Sequence, residues 1–140
     1  MRDKINWEKL NDQERDALVY REWMLQPGER IIDDEGHPFL RSNKDEFTRW
    51  MLPYARCIAS AFCVIYQAKA QGWRVGVQTN TNGMGVSKDL WLCNAENEEE
   101  TTYVEAVADT PAEAICKCLL RLKGLNIHDQ YSYSPPSAHA

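Results

Sequence analysis

The sequence predicts an α+β domain: an antiparallel β-meander packed with an N-terminal helix, a long central helix and a C-terminal helix. Three observations carry that expectation. "WRVGVQT" at 73–79 alternates apolar and polar residues, runs into Asn82-Gly83 and leads to a second apolar stretch, the pattern of a hairpin. A further alternating stretch, "TTYVEAVA" at 101–108, follows after an acidic loop. Helical periodicity brackets this block, from Pro53 to Gln71 before it and from Pro111 onward after it.

The first helix is expected to begin near Asn11. Asn11 as cap and Glu14 three residues on form a capping-box variant, with Leu10 just outside. Ala17, Leu18, Met24 and Leu25 recur at helical spacing until "QPG" at 26–28, and Trp7 and Trp23 add apolar bulk at the two ends. Residues 28–47 suggest two short extended pieces around a turn at Glu35-Gly36, then a helical turn capped by Ser42.

Pro53 suits the first turn of the central helix, because its missing N–H costs nothing there. Ile58, Ala61, Phe62, Ile65 and Ala68 follow the 3.6-residue period, widened by Cys57 and Val64, and Gly72 stops the helix. So wide a stripe implies packing against more than one neighbour. In the closing helix Thr110 is the cap, Pro111 the first residue and Glu113 the capping-box partner. Ala114, Ile115, Cys118, Leu119 and Leu122 form its buried stripe, and Gly124 ends it with Leu125 as the accompanying apolar contact.

At 140 residues, 44% of them hydrophobic, the chain is long enough to build a core without disulfides or metal. One domain spanning 1–127 is expected, followed by a Ser- and Pro-rich flexible tail at 128–140. A net charge of −5 opposes sequence-independent binding of polymeric nucleic acid, which depends on phosphate neutralisation. Local cations can still hold a small anion. Cys57, Cys63, Cys93, Cys116 and Cys118 form no C-x-x-C pair and cluster with no histidine, so buried free thiols are expected rather than a metal site. Those thiols suit a reducing cytoplasm. No secretory leader is expected in "MRDKINWEKLNDQERD", and no run nears the ~18 apolar residues of a membrane span.

Catalytic motifs are absent from the sequence: it has no H-E-x-x-H, G-x-S-x-G or P-loop. "NGMGVSK" belongs to the hairpin rather than to a strand-to-helix phosphate loop, and the acidic run Glu96, Glu98, Glu99, Glu100 lacks the glycine-punctuated spacing of a cation loop. The remaining candidates are Lys117 and Arg121, which at i, i+4 share one helix face. Two readings stand open. They complement the helix dipole, with Glu113 pairing to Lys117, or they clamp a phosphate beside an aromatic that stacks on a base. Trp91, Tyr103, Arg74 and Gln78 lie on the neighbouring strands.

Pro53-Tyr54, Gly72-Trp73, Ala108-Asp109-Thr110 and Ala114-Ile115-Cys116-Lys117, together with "LNDQERDALVYREWM", make residues 10–123 resemble the bacteriophage ABA-sandwich domain. One branch comprises the Thoeris anti-defence sponges. These sequester, without cleaving, cyclic ADP-ribose isomers made by TIR-domain immune enzymes, and some members also bind cyclic oligonucleotides. The resemblance implies a homo-oligomer acting in the cytoplasm of an infected bacterium, with no cofactor, no metal, no membrane and no catalytic residue. Lys117 and Arg121 would bind phosphates, with lysine at 117 where an arginine is common. Trp91 would stack on a base, and Asn94 would make polar contacts to base or ribose. The alternative is a phage accessory protein that inhibits a host protein by direct contact through the acidic loop 96–100.

Overall fold

The computed structural model describes residues 3–34, 37–42, 48–49, 52–79, 90–97, 99 and 102–131. The meander is a three-stranded antiparallel sheet of β5 (Trp73–Thr79), β6 (Trp91–Asn97) and β7 (Tyr103–Ala108), with β6 in the middle. Its register pairs Val77 with Cys93 and Cys93 with Ala106. That parity sends Trp73, Val75, Val77, Trp91, Cys93, Ala95, Val104, Ala106 and Ala108 to one face, which packs into the core. Arg74, Gln78, Leu92, Asn94, Glu96, Tyr103, Glu105 and Val107 alternate onto the other. The expected turn at Asn82-Gly83 lies outside the described residues.

Two helices cover the apolar face. α3 (Pro111–Leu122) lies across β6 and β7, and α2 (Ile58–Ala70) sits beside it against β5. Behind them runs α1 (Asp12–Val19), extended by a π-helical turn at Tyr20–Met24. The Trp23 indole Nε1 donates to the Leu119 carbonyl of α3 at 2.9 Å, which locks that turn onto the helix. The capping box expected at the start of α1 is formed: the Glu14 amide donates to Asn11 Oδ1 at 2.7 Å, and the Asn11 amide donates back to Glu14 Oε1 at 2.9 Å.

Three local expectations change. The central helix starts at Ile58 rather than Pro53, because buried Asp16 of α1 accepts from the Ala55 amide (3.1 Å) and from Arg56 Nη2 (2.9 Å). Those bonds hold residues 54–56 as a separate turn. Burial raises the Asp16 carboxyl above the usual range against the opposing pull of Arg56. Residues 29–34 and 37–42 form the expected pair of extended pieces, β2 (Glu29–Asp34) and β3 (His37–Ser42), and a short β4 (Thr48–Arg49) pairs with β3. Ser42 ends a strand, and the turn at 35–36 and the stretch 43–47 lie outside the described residues. Residues 128–131, expected in the tail, are ordered parts of the fold: β8 (Asn126–His128) pairs in parallel with β1 (Lys4–Asn6).

Burial also departs from the predicted stripes. Ala61, Val64, Ile65 and Ala68 of α2 are buried, whereas Ile58 and Phe62 are exposed. Cys93, Cys116 and Cys118 are buried free thiols, but Cys63 is exposed and Cys57 half-buried.

Candidate functional site

The site grows from the closing helix. Thr110 Oγ1 accepts from the Glu113 amide at 3.3 Å, and Pro111 occupies the first turn. Glu113 turns away from the cap to pair with Arg15 of α1 at 3.5 Å, so it is not the partner of Lys117. At the other end Gly124 takes φ +90°, its amide donating to the Arg121 carbonyl (2.9 Å) while the Leu125 amide donates to Leu120 (3.2 Å). This double closure needs a left-handed residue, hence glycine. It reverses the chain so that residues 125–128 run back beside α3.

Lys117 and Arg121 emerge from α3 between the free edge of β7 and this returning strand. Lys117 Nζ donates to the Val107 carbonyl at 2.7 Å and to Asp129 Oδ2 at 2.6 Å. Arg121 spans both elements: Nη1 donates to the Glu105 carbonyl of β7 at 3.0 Å, while Nε and Nη2 donate to the Ile127 carbonyl of β8 at 3.3 and 2.9 Å. Nη2 also lies 3.5 Å from Asp129 Oδ2. The cations thus hold an anion, and that anion is a carboxylate of the same chain.

The cluster is enclosed. Lys117 is 1% exposed and Arg121 7%, and the Asp129 side chain is buried. Burial pulls the Lys117 ammonium below the usual lysine range, opposed by its bond to Asp129. Asp129 is itself steadied by the Tyr131 amide, which donates to Oδ1 at 2.9 Å, and the Tyr131 ring lies 5.1 Å from Lys117 Nζ. Tyr131 donates its hydroxyl to Asp109 at 2.5 Å, so the strap 125–131 is tied to both ends of α3. Burial, with that donation second, pushes the Tyr131 phenol up to about 12. By taking two carbonyls of the outer edge of β7, the cations also remove acceptors that would otherwise invite another strand.

Beside Arg121 lies a cleft of about 260 Å³, lined by Val104, Arg121, Gly124, Leu125, Asn126, Ile127 and His128. Pockets that enclose a whole small ligand run to ~300–1,000 Å³, so this one suits part of a ligand. Its polar lining residues are Arg121, His128 and Asn126. Lys117 does not line it.

The other two sequence candidates stand apart from the cluster and from each other. Trp91 is on the helix-facing side of β6, partly buried against the core, and pairs with Thr79 and Ala108. Asn94, three residues on, projects from the opposite face. There it hydrogen-bonds the Tyr103 hydroxyl and lies over Gly76, where a Cβ would come within 3.1 Å of its Oδ1. Burial and the neighbouring Glu105 push the Tyr103 phenol up to about 12. The structure therefore brings Lys117 and Arg121 together, leaves β7 between them and β6, and puts Trp91 and Asn94 on different faces. Sequence reasoning missed Asp129 and His128, which follow the last helix with no periodic signal.

Comparison with known proteins locates the fold. A crystal structure of a phage protein from Bacillus cereus ATCC 14579 is similar, with a TM-score of 0.51 and 15% identity over 79% of this chain and 89% of that chain. The likeness is one of fold. No family model matches the sequence, and no curated protein matches it. Among the described residues no group of three His, Cys, Asp or Glu side chains could hold a metal ion, and no helix is long and apolar enough to cross a membrane.

Proposed function

We propose that this chain is a phage protein that binds and sequesters, without cleaving, a cyclic nucleotide signal of bacterial defence in the cytoplasm of the infected cell. The ligand class is that implied by the sequence resemblance: a cyclic ADP-ribose isomer or a cyclic oligonucleotide. The likeness in fold to a phage protein supports the origin. The single geometric observation that carries the reading is the cleft with Arg121 and His128 in its wall. The Arg121 guanidinium, held in place by the Glu105 and Ile127 carbonyls, brings positive charge to that wall, and His128 and Asn126 stand beside it.

In this reading Arg121 and His128 touch the ligand, and Asn126 reads its hydroxyls or base. Lys117 is assigned a supporting role, since it holds Asp129 and with it the strap that forms one wall. Trp91 and Asn94 have no place in the cleft.

The test is retention. Protein mixed with a panel of cyclic ADP-ribose isomers and cyclic dinucleotides is separated from free ligand, heat-denatured, and the supernatant chromatographed. One member is expected to return intact, in amounts stoichiometric with the chain. His128→Ala, a half-exposed position, is expected to weaken retention more than tenfold while the protein stays folded. Retention of none, or return of a shorter product, overturns the proposal.

A further inference from the structure

The first and last strands of the fold meet in a ribbon of their own. β1 pairs with β8 in parallel, and among the described residues neither has another strand partner. Lys4 stands opposite Asn126, Ile5 opposite Ile127 and Asn6 opposite His128. Side chains alternate along a strand, and residues in register share a face. Ile5 and Ile127 turn inward, Ile127 buried and Ile5 packed against the core. Lys4, Asn6, Asn126 and His128 therefore share the outer face, where the first three are exposed and His128 is half-buried. Asn126 and His128 also line the Arg121 cleft, so this face borders it.

We propose that β1 completes the cleft, with Lys4 binding a phosphate of the nucleotide whose base or ribose rests against Asn126 and His128. The state of the two cations decides which of them takes the phosphate. Arg121 spends its Nε, Nη1 and Nη2 donors on the Glu105 and Ile127 carbonyls, and Asp129 Oδ2 sits 3.5 Å from Nη2. An oxyanion arriving there meets committed donors and a carboxylate. Lys4 has the opposite setting, exposed on the outer face beside Asn126. Its strand lies about 4.8 Å from β8, and its long flexible stem lets the ammonium reach past Asn126 with the backbone in place. Arg121 then lends charge to the wall, and Lys4 makes the contact.

An exposed ammonium acts on phosphate as a point charge, and two properties follow. It adds affinity that falls as salt is raised, and it adds nothing for an uncharged nucleoside. Asn6, in register with His128, brings a further amide to the same face. The contact also depends on the docked strap, because β8 is the strand that holds β1 among the described residues. This role for Lys4 rests on the nucleotide reading of the cleft and adds to it the residue that selects a charged nucleotide over an uncharged nucleoside.

Titration of adenosine and of adenosine 5′-monophosphate into isotope-labelled protein, followed by NMR through the amides of Gly124 to His128, tests it. At low salt the wild type is expected to bind the monophosphate about tenfold more tightly than the nucleoside, the worth of one charge-assisted bond. Lys4→Gln is expected to bring the monophosphate down to the nucleoside's affinity and to leave the nucleoside's own affinity unchanged. Lys9→Gln removes the same net charge from an exposed position outside the ribbon, and is expected to keep the preference. Equal affinity of the wild type for both probes overturns the inference. So does a preference that survives Lys4→Gln, or one that Lys9→Gln abolishes equally. Failure of both probes to bind overturns it too. A cyclic nucleotide retained intact by the same preparation would then leave the broader reading standing, and retention of none would remove both.

Discussion

α2 and α3 lie side by side on the same sheet, and each violates the rule that residue type predicts burial. α3 takes two cations inside, where Lys117 and Arg121 are satisfied by Asp129 and by carbonyls of β7 and β8. α2 leaves Ile58, Phe62 and Tyr66 outside, with no such compensation among the described residues. The difference is in what each helix meets. α3 has the sheet below, α2 beside it, Trp23 behind it and the strap 125–131 along its remaining side, so every direction is occupied. Among the described elements α2 packs chiefly on α3, β5 and the π-helical turn. A buried charge needs a partner supplied from elsewhere in the chain.

The largest effect should come from removing the internal anion. Asp129→Ala leaves two buried cations facing one another and is expected to cost about 3–5 kcal/mol of unfolding free energy, the usual cost of breaking a buried pair from one side. Urea midpoints measure it. Lys117→Met, which deletes a charge that burial already disfavours and leaves Arg121 on Asp129, should cost clearly less. If Asp129→Ala is neutral, the cluster does not hold the strap and the contrast between the helices collapses.

A matched pair of truncations sharpens the same contrast at smaller scale. Ile115→Ala, fully enclosed in α3, is expected to cost about 2–5 kcal/mol. Ile58→Ala, at an exposed position of α2, is expected to cost about 1 kcal/mol or less. Equal costs would mean that Ile58 is enclosed after all.

The parts of the fold written locally were legible. Asn11 with Glu14, Thr110 with Pro111, and Gly124 with Leu125 are each a few residues apart, and their chemistry admits one use. The period of two set the three strands for the same reason. What escaped is non-local. The β1–β8 pair joins Lys4 to Asn126 through three residues each, too few for any pattern to show. Asp129 looks like one more polar residue of a tail until Gly124 turns the chain back along α3. For α2, apolar residues on most of the circumference announce a helix but not which of them, Ile58, Phe62 and Tyr66, stay exposed. Lys117 and Arg121 were rightly paired on one face, but spacing cannot reveal the counter-ion.

The central functional claim is that ligand contacts run through the cleft at Arg121 and not through the enclosed Lys117. Titrating a cyclic ADP-ribose isomer or cyclic dinucleotide into ¹⁵N-labelled protein, with amide shifts followed by NMR, tests it most directly. The account predicts that one such ligand moves the resonances of Gly124 to His128 to a stoichiometric end point, while those of α2 stay in place. A spectrum unmoved by every cyclic nucleotide, or shifts confined to the open face of the sheet around Asn94, would contradict it.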